Sequence, residues 1–139
     1  MDIALKPFLR RKYLLTKSEC SFYKVLRDVV APNPVALKVR LADLIEADDR
    51  HQLWQANFDR IKAKHIDFVV CDAALSPVIA IELDDPSHQR PDRQQRDRDV
   101  DRIFELAGMP ILHQPVQREY CAGEIEKHLL AKLRSDFKK

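Results

Sequence analysis

Glycine is nearly absent: the 139 residues hold only Gly108 and Gly123. A Walker-type loop or a dinucleotide fingerprint needs several glycines within a few residues, because backbone amides must approach phosphate closely, so both cradles are excluded. Cysteine is scarce as well. Cys20, Cys71 and Cys121 are odd in number, far apart and without a C-x-x-C pair. That spacing argues against a disulfide framework or a Cys-rich zinc site, and for reduced thiols in a cytoplasmic protein. No apolar run approaches the ~18 residues of a membrane span. The best stretch, Ala73–Ile81, is nine residues long and holds Ser76 and Pro77. The start of the chain carries Arg10, Arg11 and Lys12 but no apolar signal core. H-E-x-x-H is missing, and Ser87–His88 is not framed by the glycines of a nucleophile elbow. A cytoplasmic domain with no membrane partner is the expectation.

What the chain does have is an ordinary globular balance, 45% hydrophobic and 33% charged, too apolar for intrinsic disorder. Its 24 basic and 22 acidic residues leave a net charge of +2, so any nucleic-acid contact must come from a local basic cluster. Residues 1–15 read as a basic N-terminal segment, a tail or a strand, and residues 16–135 as a single domain. Phe22, Val25, Leu26 and Val29 recur at helical spacing behind a Thr16-x-x-Glu19 capping box, and Pro32 and Pro34 stop that helix. Val35–Arg40 suits a strand, while Leu41–Ala47 fits a turn of helix or an extension of that strand. Trp54, Phe58 and Ile61 mark a short helix. Ile66–Cys71 and Val78–Leu83 are the clearest strands. Asp92–Ala107 is a helix behind Pro91, ended by Gly108 and Pro110. Ile111–His113 is a short strand, and Glu124–Leu133 a last helix. The expected fold class is α/β, with one mixed sheet.

The segment from Asp67 to His88 is the most informative. If Ile66–Cys71 and Val78–Leu83 pair as a hairpin, Asp67 falls opposite Glu82, Phe68 opposite Ile81, Val70 opposite Ile79 and Ile66 opposite Leu83. One face then carries Ile66, Phe68, Val70, Ile79, Ile81 and Leu83. The other carries Asp67, Val69, Cys71, Val78, Ala80, Glu82 and Asp84. Carboxylates facing each other cost about 0.2–1 kcal/mol per exposed pair, and more where water is excluded. A cation removes that penalty. Asp67, Glu82 and the Leu83 carbonyl could form half the oxygen shell of a magnesium ion, which usually takes one or two carboxylates plus water and phosphate. The plain alternative is a solvated sheet face answered by nearby arginines.

D-F-V-V (67–70), I-E-L-D-D-x-S-H (81–88), R-D (96–97) and A-G-x-P (107–110) together resemble the family called domain of unknown function 2726, over about Leu15 to Leu133. That family is similar to the restriction-endonuclease-like PD-(D/E)XK superfamily, including its very-short-patch-repair branch. The resemblance implies a helix–three strands–helix–strand core with a mixed four-stranded sheet flanked by helices, and Mg2+ or Mn2+ at the hairpin. It places Asp67 at the first acidic metal ligand and Glu82 at the second. Asp84 falls where most of the superfamily has lysine, and His113 where relatives tend to have arginine. An aspartate cannot supply the lysine's charge. His88 could serve as proton donor or acceptor instead, and Arg93 or Arg96 could supply the cation. Asp84 would then be an added ligand or a water-orienting group.

Helical spacing places Arg93, Arg96 and Asp97 on the same stripe as Val100, so the core-facing side of that helix turns polar at its N-terminal end, where anions are favoured. Glu19 continues the buried stripe of the first helix and is either a site residue or only half of its capping box. Residues expected to touch nucleic acid, DNA before RNA, are Arg10, Arg11 and Lys12 and the set Arg90, Arg93, Arg96, Arg98 and Arg102, with four aspartates interleaved in the latter reducing its field. Three readings fit these residues: a metal-dependent nuclease of repair or restriction type, a catalytically silent nucleic-acid-binding module, and a protein-interaction domain whose acids pair with arginines. Oligomeric state is not encoded in any feature of the sequence.

Overall fold

The computed structural model describes residues 5–85 and 91–137. Its elements run α1 (Lys17–Val30), β1 (Val35–Arg40), α2 (Leu41–Leu44), α3 (Trp54–Ile61), β2 (His65–Cys71), β3 (Pro77–Asp84), α4 (Pro91–Ala107), β4 (Ile111–Pro115) and α5 (Ala122–Phe137). The sheet order is β1-β2-β3-β4, with β1, β2 and β3 antiparallel and β4 parallel to β3. A parallel neighbour needs a long crossover, and α4 provides it. The result is the expected α/β architecture, a mixed four-stranded sheet flanked by helices.

The sheet buries both faces. Phe22 and Leu26 of α1 and Ile125 and Leu129 of α5 pack on Phe68, Val70, Ile79, Ile81 and Leu83. On the opposite face Leu41, Ile61, Val100 and Phe104 cover Ile66, Val69, Ala80 and Ile111. Local chemistry sets the helix ends. At α1 both capping-box bonds form, Glu19 N–H to Thr16 Oγ1 at 3.1 Å and Thr16 N–H to Glu19 Oε1 at 2.8 Å. Past the end of α4, Gly108 at φ +69° lets its own N–H reach Glu105 O and that of Met109 reach Phe104 O, a Schellman closure that a side chain would strain. The Leu41–Ala47 alternative resolves as helix over Leu41–Leu44. Residues 5–15 form neither helix nor strand.

The hairpin register agrees with expectation at Phe68↔Ile81 and Val70↔Ile79. Two placements need correction. Val78 packs with the α1/α5 cluster rather than beside Val69, because the ladder slips between Val70 and Cys71. Ile66 does not share a face with Phe68 and Leu83; it belongs to the opposite cluster. The cause lies one strand over. Lys38, in the middle of β1, has φ +50°, a left-handed conformation that turns the strand by one residue. Leu37 therefore packs on the α1/α5 side and Val39 on the other. β2 follows, since Leu37 pairs with Phe68 and Val39 with Ile66. Lys38 and Asp67 occupy the twist between those pairs.

Left-handed backbone costs a residue with a Cβ about 1–2 kcal/mol. Lys38→Gly and Lys38→Ala both delete the ammonium, but only glycine relieves the backbone. Urea unfolding should find Lys38→Gly more stable than Lys38→Ala by about 1 kcal/mol; equal stabilities would mean β1 is extended at this position.

Candidate functional site

Beyond Phe68↔Ile81 the hairpin ladder gives way to side chains. Asp67 Oδ2 accepts the Leu83 N–H at 2.9 Å, and Glu82 Oε1 lies 3.3 Å from the Asp67 N–H it faces. Each acid is thus fastened to the backbone of the strand opposite, and the two expected ligands do meet. Both are half-buried. Burial pushes the Glu82 carboxyl up to about 7, and the neighbouring Asp67 charge adds to the effect, while Arg96, the bond from Asp67 N–H and His113 act against it. Asp67 is raised too, first by burial and then by Glu19, with the Leu83 N–H, Lys38 and Arg96 opposing.

Cations from three elements surround this pair. Lys38 comes from β1 at the left-handed turn, its Nζ 4.0 Å from Glu19 Oε1. Glu19 thus closes the α1 cap and also lies beside Lys38, with only 16% of its side chain exposed. Arg96 approaches from α4, as its stripe position predicts. Its guanidinium also lies 3.5 Å from Asp97. The third cation is His113, which neighbours Glu82 across β3 and β4. Its Nδ1 lies 3.1 Å from Asp84 Oδ2 and its Nε2 2.6 Å from Asp101 Oδ1. A neutral imidazole donates from one nitrogen only, so bridging two carboxylates with both nitrogens calls for the imidazolium. Burial opposes that charge, yet Asp101 and Asp84 raise the His113 pKa overall.

Asp84 is paired with His113. His88 and Arg90 lie outside the described residues, as does the side chain of Arg93. Lys12 is exposed on the N-terminal segment, over the Tyr13 ring. Among the described residues no three His, Cys, Asp or Glu side chains are arranged to hold a metal ion. Two carboxylates are nevertheless enough for magnesium or manganese when water and phosphate complete the shell. Asp67 and Glu82 fit that donor set, because each carboxylate keeps an oxygen that accepts no backbone bond named above and each is charged more cheaply with a cation alongside.

Sequence reasoning missed three residues. Lys38 is the lone charge in V-A-L-K-V, and only the β1–β2 register brings it beside Asp67. Asp101 follows Val100 on α4 and gains meaning only through His113. Gln114 is 2% exposed; its amide nitrogen donates to Pro115 O at 3.2 Å, while Oε1 meets no partner among the described residues. A buried oxygen left so costs about 1–3 kcal/mol, an expense more often tolerated beside a site than in a plain core.

The model of a family described as "Protein of unknown function (DUF2726)" matches residues 11–133. No curated protein and no solved structure matches the chain. Among the described residues no helix is long and apolar enough to cross a membrane.

The Glu82 shift makes a stability prediction. The folded chain keeps this proton up to about pH 7, whereas the unfolded chain releases it near the ordinary 4.5. The folded state holds more protons in that window, so stability falls as pH rises through it, by at most about 1.4 kcal/mol per pH unit. Glu82→Gln keeps an acceptor for the Asp67 N–H and cannot ionise. At pH 8 without metal it should melt a few degrees above wild type, with the gap closing near pH 4.5. A lower melting temperature at both pH values would show that the carboxylate is not under strain.

Proposed function

The chain belongs to the DUF2726 family, and we propose that it is a metal-dependent nuclease of the restriction-endonuclease-like PD-(D/E)XK type, hydrolysing phosphodiester bonds in nucleic acid, DNA first. One observation carries this reading: two half-buried acids from adjacent strands of a mixed sheet converge, with three cations around them. A solvated sheet face would leave Asp67 and Glu82 exposed and paired one to one with arginines. Here their charges are desolvated, and Glu82 stays protonated to about pH 7.

Asp67 and Glu82 would hold Mg2+ or Mn2+, which when bound polarises a phosphodiester and acidifies water. The remaining chemistry belongs to the chain. Cleavage builds negative charge on the phosphoryl oxygens, and fixed cations around them stabilise that charge most when they need not reorganise. Lys38 supplies such a charge from β1, in compensation for the aspartate at position 84. Its ammonium lies 4.0 Å from Glu19 Oε1 and its charge is felt at Asp67. Arg96, at the start of α4, is placed to meet the phosphate. His113, clamped by Asp84 and Asp101, keeps a third positive charge beside Glu82, where relatives tend to have arginine. His88 remains the candidate for protonating the leaving oxygen.

The second reading, a nucleic-acid-binding module without cleavage, is favoured by the aspartate at position 84. Incubation with single- and double-stranded DNA in Mg2+ or Mn2+ separates the two. Wild type should cleave, and Glu82→Ala and Asp67→Asn should lose at least about a hundredfold, the loss expected when electrostatic stabilisation of the transition state fails. Equal cleavage by wild type and Glu82→Ala would exclude the nuclease as drawn. Binding without cleavage by any of them would select the module.

Lys38→Met separates charge from metal. Manganese should raise its melting temperature as much as that of wild type, because saturation at a hundred times Kd stabilises a fold by about 2.7 kcal/mol whichever residue does the chemistry. Its cleavage should fall at least about tenfold, with Lys38→Arg recovering part of it. Undiminished cleavage by Lys38→Met would return the cation's role to Arg96.

A further inference from the structure

Nine large hydrophobic side chains are well exposed among the described residues, and five of them, including Phe8 at 87% and Tyr13 at 70%, fall within Leu5–Leu14. Such residues scattered singly need no explanation; half of them in one short segment do. The same segment carries Lys6, Arg10, Arg11 and Lys12 and no acid up to Thr16. Here the chain's near-neutral average gives way to four positive charges within seven residues.

Its point of attachment to the fold is the α1 cap. Residues 5–15 lead into Thr16, whose N–H is held by Glu19, and Glu19 is the acid beside Lys38 and Asp67. The segment therefore joins the fold one helical turn from Glu19, whose charge is felt at Asp67. We propose that residues 5–15 are an arm that binds single-stranded nucleic acid next to the acidic pair, with Arg10, Arg11 and Lys12 on phosphates and Phe8 and Tyr13 stacked on bases. The proposal rests on the nuclease reading of the acidic site. Cations tracking a backbone, interleaved with aromatic rings that accept any base, are the general requirements for holding a single strand. An anionic membrane would call for an amphipathic helix with one apolar face, and this segment has no helical turn.

The test uses the full chain with metal removed by EDTA, a fluorescent oligothymidylate and the corresponding duplex, read by anisotropy across a salt series. Arg10→Ala/Arg11→Ala/Lys12→Ala should bind more weakly and flatten the log-affinity against log-salt slope by about 2, near 0.7 per phosphate contact on a single strand. Phe8→Ala/Tyr13→Ala should leave the slope alone and weaken single-strand binding at least about tenfold, with less effect on the duplex. These side chains are exposed, and circular dichroism should show both variants folded. Unchanged single-strand affinity in both variants overturns the arm. So does co-sedimentation with phosphatidylserine vesicles, or a dimer lost in Phe8→Ala/Tyr13→Ala, when oligonucleotide affinity does not change. Arm-dependent binding without cleavage in Mg2+ or Mn2+ leaves the arm standing and removes the nuclease. Cleavage by a protein whose binding ignores the arm does the reverse.

Discussion

Two carboxylates held half out of water, each bonded to the other strand's backbone, set the terms for the rest of this domain. Burial makes both charges costly, and the Asp67 charge adds to the cost at Glu82. The surrounding elements meet around that pair. The hairpin forgoes ladder bonds at Asp67 and Glu82 so that side-chain oxygens accept the backbone amides instead. α1 brings Glu19, α4 brings Arg96, and β4 brings His113 into register with Glu82.

The balance of charge is kept by residues with other tasks. Lys38 is both the left-handed residue that twists β1 and the ammonium facing Glu19 and Asp67. The twist reverses which core Ile66 joins, so the position of one cation and the packing of two strands are a single choice. His113 is held between Asp84 and Asp101, and both acids raise its pKa.

Much of this architecture was legible in the chain. Capping box, proline stops and the Gly108–Pro110 exit place α1 and α4, because these are local signals that act within a turn of helix. The hairpin register over Phe68–Val70 and Ile79–Ile81 follows from alternation, since a one-residue slip would turn every side chain over. Alternation failed at Ile66 and Val78. At both places the backbone departs from ideal pleat, once through Lys38 and once through the slip beside Cys71, and no period-2 pattern carries that information.

The sequence alone was enough to exclude phosphate-cradling loops and cysteine-rich metal sites, to order the helices and strands, and to pair Asp67 with Glu82, because absences of residue type, helix caps and two-residue periodicity are properties of neighbours along the chain. The cations around that pair come from Lys38, Arg96 and His113, and two of their partners from Glu19 and Asp101, residues scattered over four elements. Only packing the helices on both faces and adding β1 and β4 at the sheet edges decided which charges would meet, because Coulomb interactions and burial depend on distance in space rather than along the backbone.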